Sequence, residues 1–478
     1  MGEGPEFAAM FERKDETFET AELLSPMSQI TPGQLLESLD RSALTPKHWR
    51  MYVTAALGHL FDGFDINMMG FALPGIVAAF ALSPAQAGIL ASSVFIGMLI
   101  GSTCVGLLAD RFGRKWTMVG SIVAYCALSF AVAFAWSHDS LLVLRILQGI
   151  GLGAEVPLVF TYLSEFIPTR RRGLMLASTV AFWQGSSFIA AIVALLVIPA
   201  FTWRGMFIAG AVPGLVLIGL WAVLPESVRF LIARGRLGEA RRIVDGLSTI
   251  DPRTLPTTVH RPPVEPARLS AILRGGYLRP TASIWLMQLT GGAVFFAVAI
   301  WLPSIFARMG FPVVKSFAFT GLIAGTGALG NVAGGLLLDR WGRRTTVPVF
   351  LCVGGLLMFA WGQATESWSI LGLGALTAFF ASGGAGGPLF AYTSEVYPTR
   401  YRAVGTGWAA AWQRIGGIVA APMLGWMLGN GAPNYAFFTA LGVLLLIGGI
   451  GGYLLGYETR GKSLEAVTAE LSGLKGQV

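Results

Sequence analysis

Charge is scarce in this 478-residue chain, where Asp, Glu, Lys and Arg together make up 13%. Soluble domains carry about a quarter, so a soluble globular fold is excluded, and a disordered chain would need more polarity still. Cysteine is scarcer. Cys104, Cys126 and Cys352 are the three present, far apart and inside apolar runs, so they build neither a disulfide scaffold nor a paired metal or redox site. The four histidines, His48, His59, His138 and His260, are equally scattered. No nucleotide-binding loop, metal cluster or nucleophile–base set stands out, which argues against an enzyme or a nucleotide-driven pump and leaves no cofactor to expect. No Asn-x-Ser/Thr site occurs, in keeping with a bacterial membrane protein. Residues 1–47 are polar and mixed in charge, so the first apolar helix, rather than a signal peptide, is the expected insertion signal.

Apolar residues fill the space that charge leaves. They reach 54% of the chain, with a mean hydropathy of +0.65, and one bilayer crossing takes about 20 of them. The 62 glycines suit close helix packing in a membrane. Apolar runs predict spans near 51–79, 86–109, 116–136, 140–163, 174–200 and 204–224, then near 280–307, 315–338, 345–364, 368–393, 403–429 and 434–456. The expected fold is an all-α membrane protein with twelve transmembrane helices in two six-helix halves. A tail at 1–47, a half at 48–224, a loop at 225–279, a half at 280–457 and a tail at 458–478 make up the expected domains. The loop holds ten arginines; within it Arg236–Leu247 reads as an amphipathic helix and the proline-rich 252–266 as a loop. A short surface helix is expected near 33–41.

The net charge of +8 would raise nucleic-acid binding in a soluble protein. Here it sorts by loop instead. Arg111, Arg114 and Lys115, then Arg170–Arg172, then Arg340, Arg343 and Arg344, then Arg400 and Arg402 all follow even-numbered spans, whereas the opposite loops hold little beyond Arg204, Arg308 and Lys315. The positive-inside rule therefore places both termini and the central loop in the cytoplasm of an inner (plasma) membrane.

The halves repeat. Gly106-Leu-Leu-Ala-Asp110-Arg111-Phe-Gly113-Arg114-Lys115 recurs 229 positions later as Gly335-Leu-Leu-Leu-Asp339-Arg340-Trp-Gly342-Arg343-Arg344. Ser164-Glu165-Phe-Ile-Pro168-Thr169-Arg170 recurs as Ser394-Glu395-Val-Tyr-Pro398-Thr399-Arg400, Trp183-Gln184 as Trp412-Gln413, and Leu73-Pro74 as Leu302-Pro303. Parallel six-helix repeats describe a transporter that rocks around a site near the bilayer midplane.

The doubled Gly-x-x-x-Asp-Arg-x-Gly-Arg loop resembles the signature of the major facilitator superfamily. Pro225-Glu-Ser-Val-Arg229 and Glu458-Thr-Arg-Gly-Lys-Ser-Leu464 resemble its sugar-porter-like branch. Phe61-Asp62-Gly63-Phe64-Asp65 is similar to the aromatic-acid/proton symporters. Gly151-Leu-Gly-Ala-Glu155-Val-Pro157, Phe182-Trp183, Trp301-Leu-Pro303 and Arg414-Ile-Gly-Gly417 resemble bacterial niacin transporters, which are related to the synaptic vesicle glycoprotein and organic ion transporters. The resemblance spans about 48–465. Where sugar porters carry paired glutamines and an asparagine in the seventh span, this chain reads Met287-Gln288 and, further on, Ala293. Two hydroxyl-binding groups are gone, which disfavours a hexose.

The resemblance implies that Gly106, Asp110, Arg111 and Arg114, with Asp339, Arg340 and Arg343, latch the outward-facing state. Glu165, Arg170, Glu395 and Arg400 join this gating set as salt-bridge partners. The plain alternative is solvated charge on cytoplasmic loops. Charges inside spans carry more information, because each is costly at membrane depth. Asp62, Asp65, Arg145 and Glu155 lie in the first half, and their counterparts 229 positions on are Gly291, Val294, Gly374 and Gly384. A common rocking scaffold would need such charges in both copies, so their one-sidedness points to proton coupling. Asp62 and Asp65 share a helix face, and paired carboxylates raise each other's affinity for protons. An ion pair with Arg145 is the alternative, and Arg145 could equally bind a substrate carboxylate.

Arg414 is the main intramembrane cation of the second half; its counterpart is Gly185. In organic anion relatives a matching arginine is implicated in anion binding, and a guanidinium grips a carboxylate with two parallel hydrogen bonds. Trp183, Gln184, Phe295, Trp301, Tyr392, Trp412 and Gln413 complete the candidate substrate site, since flat rings stack on planar ligands, although any one aromatic could simply pack. The expected function is proton-coupled import of a small organic acid, an aromatic carboxylate such as nicotinate or a hydroxybenzoate. Its partners are that anion, a proton and the lipid bilayer, with no nucleic acid and a monomer as the working unit. A cation or drug transporter and a transport-dead binding protein are the rivals.

Overall fold

The computed structural model describes residues 30–256, 269–462 and 464–472. Among them no strand occurs. Helix α1 (Pro32–Arg41) opens on a Thr31–Gln34 capping box, and α2 (Pro46–Phe80), α3 (Pro84–Phe112), α4 (Arg114–Val132) and α5 (His138–Phe166) follow. Continuous helix then runs from Thr169 to Ala222 (α6), 54 residues broken by the non-helical backbone of Thr202 at φ 57° and ψ −168°. At 1.5 Å per residue this is about 80 Å, far beyond the roughly 30 Å hydrocarbon core. It is therefore two spans turned back to back at Thr202.

Two short helices, α7 (Val228–Ala233) and α8 (Leu237–Leu247), precede the second half. That half comprises α9 (Leu278–Arg308), α10 (Val313–Trp341), α11 (Arg343–Gly362), α12 (Ser367–Ala385), α13 (Gly387–Val396), α14 (Thr399–Gly429) and α15 (Asn434–Leu455), closed by α16 (Leu464–Leu471). Helices α12 and α13 form one span interrupted at Gly386. Among the described residues, ten segments are long and apolar enough to cross a membrane. One of them is the double span α6, and α14 adds a further span that is long but less apolar, so twelve crossings result in two six-helix halves. The expected spans match these helices to within a few residues, and the amphipathic segment and the short N-terminal helix form as α8 and α1. Most of the proline-rich stretch lies outside the described residues.

The repeat read from sequence is also a repeat of contacts. Gly101 in α3 lets the chain approach the carbonyl of Ile150 in α5, and Gly330 in α10 does the same against Phe379 in α12. A Cβ at either glycine would collide with that oxygen, which is why small residues hold these crossings. Each partner sits 229 positions from its counterpart. Gly113 and Gly342, at φ 92° and 84°, turn the chain from α3 into α4 and from α10 into α11, a left-handed backbone that glycine adopts without strain.

The halves meet at the end away from the doubled loops. Gly70 lies on Ala299, Gly88 on Ala421 and Pro422, and Gly425 on Pro84, all so close that a Cβ would clash. Phe71 and Phe317 meet edge to face at 5.1 Å, and at mid-depth Phe95 approaches Phe296 at 4.2 Å. At the loop end, no ion pair joins the halves among the described residues. Gly106 faces open space there, and Trp408 and Phe182 are exposed. The bundle is closed at one end and open at the other.

Candidate functional site

The two loop clusters are built alike, each inside its own half. Arg114 reaches Asp110 at 3.2 Å and Glu165 at 3.5 Å, while Arg343 reaches Asp339 at 3.0 Å and Glu395 at 2.8 Å. A carboxylate from the end of each half ties these loops down. Glu226 accepts from the backbone N–H groups of Arg114 and Lys115 at 2.9 and 3.1 Å, and Glu458 accepts from those of Arg343 and Arg344 at 2.9 and 3.1 Å. These N–H groups have no partner inside the helix, and negative charge there also suits the helix dipole. Ser227 donates to Glu165, and Thr459 donates to Glu395 at 2.7 Å. Asp110 and Asp339 are 73% and 79% exposed on this open face. Arg111, Arg170, Arg340 and Arg400 are also exposed there, and none makes an ion pair among the described residues.

Deeper in the first half, four charges separate into two groups. Asp65 of α2 accepts from Gln148 Nε2 at 2.9 and 3.0 Å and lies 3.4 Å from Arg145 Nη1. Arg145 also donates to Gln148 at 2.7 Å, and its guanidinium lies 5.6 Å from the ring centre of Phe207. Nε and Nη2 of Arg145 have no hydrogen-bond partner among the described residues, but the Asp65 carboxylate is satisfied. Asp62, one turn earlier, is not. Its carboxyl faces that of Glu155 on α5, with the His59 ring 3.8 Å away, and among the described residues each carboxyl has only the other as a hydrogen-bonding partner. The helix-face argument from sequence joined Asp62 to Asp65. The fold instead gives Asp65 to Arg145 and Asp62 to Glu155, because α5 crosses α2 so closely that Gly58 leaves room only for the Glu155 side chain.

Arg414 of α14 is buried at the seam between the halves. Asp62 is its electrostatic partner, but among the described residues no carboxylate lies within ion-pair distance. Its one hydrogen bond is from Nη1 to the carbonyl of Ala410 at 3.3 Å, and Nε has none. A partly enclosed, largely apolar cavity opens between the halves. Asn67 and Phe71 of α2, Gln184 and Ser187 of α6, and Gly291, Val294 and Phe295 of α9 line it on one side, with residues of α10, α11 and α12 on the other. Trp183 lies 5.4 Å from Phe295 and 6.5 Å from His59, centre to centre.

Gln184 and Phe295 thus reach the cavity, and Trp183 stands beside it. Other candidates do not. Trp301 donates its indole N–H to the Ala421 carbonyl at 3.1 Å and seals the closed end. Tyr392 sits at the loop end, where its hydroxyl bridges the Tyr457 carbonyl and N–H at 2.7 and 2.8 Å. Both aromatics are packing and tethering groups, because their polar atoms are already committed. Trp412 stacks on Trp285 at 5.5 Å, and Gln413 packs over Gly292. Sequence reasoning missed Glu226, Glu458, His59 and Gln148. The first two stood in quoted motifs and their duplication was the available signal. His59 and Gln148 lay three residues from Asp62 and Arg145, on the same helix faces.

Known proteins resemble this chain along most of its length. The sequence profile of the Major Facilitator Superfamily matches residues 55–421 and 327–471. A niacin transporter of Acinetobacter baylyi is 32% identical over 443 residues, covering 91% of this chain and 99% of its own. A gallate transporter of Pseudomonas putida is 31% identical over 422 residues, covering 86% and 92%. Among solved structures, a D-xylose-proton symporter superposes with a TM-score of 0.70 at 19% identity, covering 87% of this chain and 99% of that one. That likeness speaks for the fold alone.

Proposed function

The chain belongs to the Major Facilitator Superfamily of multi-pass membrane transporters, and on that premise we propose that it imports a small aromatic carboxylate together with a proton. The observation that carries this reading is Arg414: a buried guanidinium without a carboxylate in ion-pair distance among the described residues, next to Gln413, which packs on α9 where Gly291 and Phe295 line a largely apolar cavity. A carboxylate entering the cavity supplies the missing bidentate acceptor, and the rings of Phe295 and Trp183 offer a flat face to its aromatic plane. The printed names of the niacin and gallate relatives agree with such a ligand.

Proton coupling falls to Asp62 and Glu155, with His59 against them. Arg414 attracts negative charge on Asp62, so an anion bound at Arg414 offsets that attraction and links substrate binding to proton binding at the pair. Substrate and proton are then bound together, as symport requires. Positive loops put the termini, the central loop and the open end of the bundle in the bacterial cytoplasm, so this geometry is inward-open. Closure of the loop end, with Asp110 and its neighbours latching against the other half, opens the opposite face. A monomer suffices for this cycle, and an ion gradient drives it.

One observation favours a second reading. Asp62 and Glu155, to which no other described residue donates a hydrogen bond, would also receive an amine, as in an organic cation or drug transporter. Reconstitution in proteoliposomes with an inward proton gradient separates the two. Labelled benzoate or nicotinate should accumulate and be competed by other aromatic acids. Transport competed by organic amines but not by acids, or no accumulation of any acid, overturns the acid reading; binding of an acid without accumulation marks a transport-dead binding protein.

A further inference from the structure

The far wall of the cavity carries two polar groups that this cycle does not use. Trp361 of α11 and Thr377 of α12 both line it and are 2% and 1% exposed. The indole Nε1 and the hydroxyl Oγ1 have no hydrogen-bond partner. Thr377 is the more telling of the two. A threonine inside a helix readily donates to the carbonyl three or four residues back, as Thr320 does to Ser316, Thr393 to Leu389 and Thr290 to Leu286. Thr377 keeps its hydroxyl free at the cavity wall. The Trp361 ring packs against Gly374, where a Cβ would stand 2.7 Å from the indole edge, and Gly374 lies one turn from Thr377 on the same helix face. A donor and a hydroxyl therefore line one wall, which they share with Thr320 and Ser382 and with apolar side chains, and buried polar groups normally find partners.

Their chemistry defines what fits. An indole N–H only donates, whereas a threonine hydroxyl both donates and accepts. A hydroxyl on the substrate satisfies both at once, accepting from Trp361 and donating to Thr377. A pyridine nitrogen can accept from only one of them and leaves the other unpaired. Position on the ring follows from depth. Helix α12 meets α9 at Ala385 and Gly291, beside the point where Gly292 packs on Gln413, the neighbour of Arg414. From Ala385 up to Thr377 is eight residues, roughly 12 Å along the axis. A single ring with its carboxylate at Arg414 bridges that depth when its hydroxyl sits at the opposite end, with a hydrogen bond of about 2.8 Å at each end. A hydroxyl next to the carboxylate falls short.

We propose that Trp361 and Thr377 bind a hydroxyl carried on the substrate ring opposite the carboxylate, so that the protein selects para-hydroxylated aromatic acids. This rests on the aromatic-acid reading, with Arg414 at the carboxylate end. The test is calorimetric titration of the purified full-length protein, and of its Thr377→Val, Thr377→Ser and Trp361→Phe variants, with 4-hydroxybenzoate, 2-hydroxybenzoate and benzoate. The unaltered protein should bind the 4-hydroxy acid at least about tenfold more tightly than either of the others, since a site built for a hydroxyl rejects the analogue lacking it. Thr377→Val and Trp361→Phe should remove that advantage, so that each variant binds the 4-hydroxy acid no more tightly than it binds benzoate, while Thr377→Ser keeps it. An advantage that survives both Thr377→Val and Trp361→Phe overturns the proposal while leaving the aromatic-acid reading standing. Parallel loss of benzoate binding in these variants also counts against it. If the unaltered protein binds none of the three acids, the aromatic-acid reading itself falls and takes the proposal with it.

Discussion

Asp62 on α2 and Glu155 on α5 hold their carboxyl groups face to face inside the first half, and no other described residue donates a hydrogen bond to either. Two negative charges so placed repel strongly in a low-dielectric interior, so a proton held between them relieves the pair. Asp62→Asn and Glu155→Gln should each abolish accumulation driven by a pH gradient while exchange of labelled for unlabelled substrate persists. Asp65→Asn should affect accumulation less, because Asp65 is committed to Arg145 and Gln148. Accumulation at the unaltered rate in both Asp62→Asn and Glu155→Gln would assign proton coupling elsewhere.

Arg145 makes the complementary case. Its removal strands Asp65 as a buried charge, and breaking such a pair from one side costs about 3–5 kcal/mol. Arg145→Gln should lower the unfolding temperature of the detergent-purified protein clearly, and adding Asp65→Asn should recover much of the loss. A double variant no more stable than Arg145→Gln alone would mean that the pair does not couple.

Arg414 predicts a split between geometry and charge. Arg414→Lys keeps the cation but loses the planar two-point grip on a carboxylate, so the KM for an aromatic acid should rise roughly tenfold, about 1.4 kcal/mol. Arg414→Gln should raise it further. Equal transport by all three proteins, measured as initial uptake rates, would remove Arg414 from the substrate site.

The closed end depends on backbone-to-backbone approach at Gly70 and Gly88, where any side chain collides with Ala299 or Ala421. Gly70→Val and Gly88→Val should hold that end apart and stop net uptake. Cysteine labelling at positions on this seam should rise in both variants; labelling that stays at the unaltered level would show that the seam yields to a larger residue.

Glu226 and Glu458 pin the first turns of α4 and α11. Losing a helix-capping acceptor costs about 1 kcal/mol, so Glu226→Ala and Glu458→Ala should each lower thermal stability modestly and about equally. Additive loss in the double variant, read by thermal unfolding, is expected because the two sites lie in different halves.

The scaffold was largely readable in the sequence because the forces behind it are periodic and local. Apolar run length fixed the spans, and duplication of the Gly-x-x-x-Asp-Arg loop fixed the halves. The 229-residue offset even anticipates which glycines meet which carbonyls. The partners of the deep charges were not readable in the same way. Spacing along α2 put Asp62 with Asp65, but which of them meets Arg145 and which meets Glu155 depends on how α5 crosses α2, a relation between distant segments. The same limit applied to Trp301 and Tyr392, whose aromatic character suggested a ligand and whose polar atoms turned out to be bound to backbone. Thr377 and Trp361 carried no signal at all, since only the fold reveals that their polar atoms lack partners.

Helix α14 spans the bundle yet is the crossing that falls short of the apolar segments in hydropathy, and it carries Arg414 near its middle. An arginine at the centre of a span adds about 2.5–3.5 kcal/mol to the cost of insertion from the translocon. The helix that holds the candidate anion site therefore enters the bilayer less readily on its own. During synthesis it must join surfaces already in place, on α9 of its own half and α3 of the other. Biogenesis of the second half thus depends on prior assembly of the first, and a chain expressed without its N-terminal half should be the one that quality-control proteases remove.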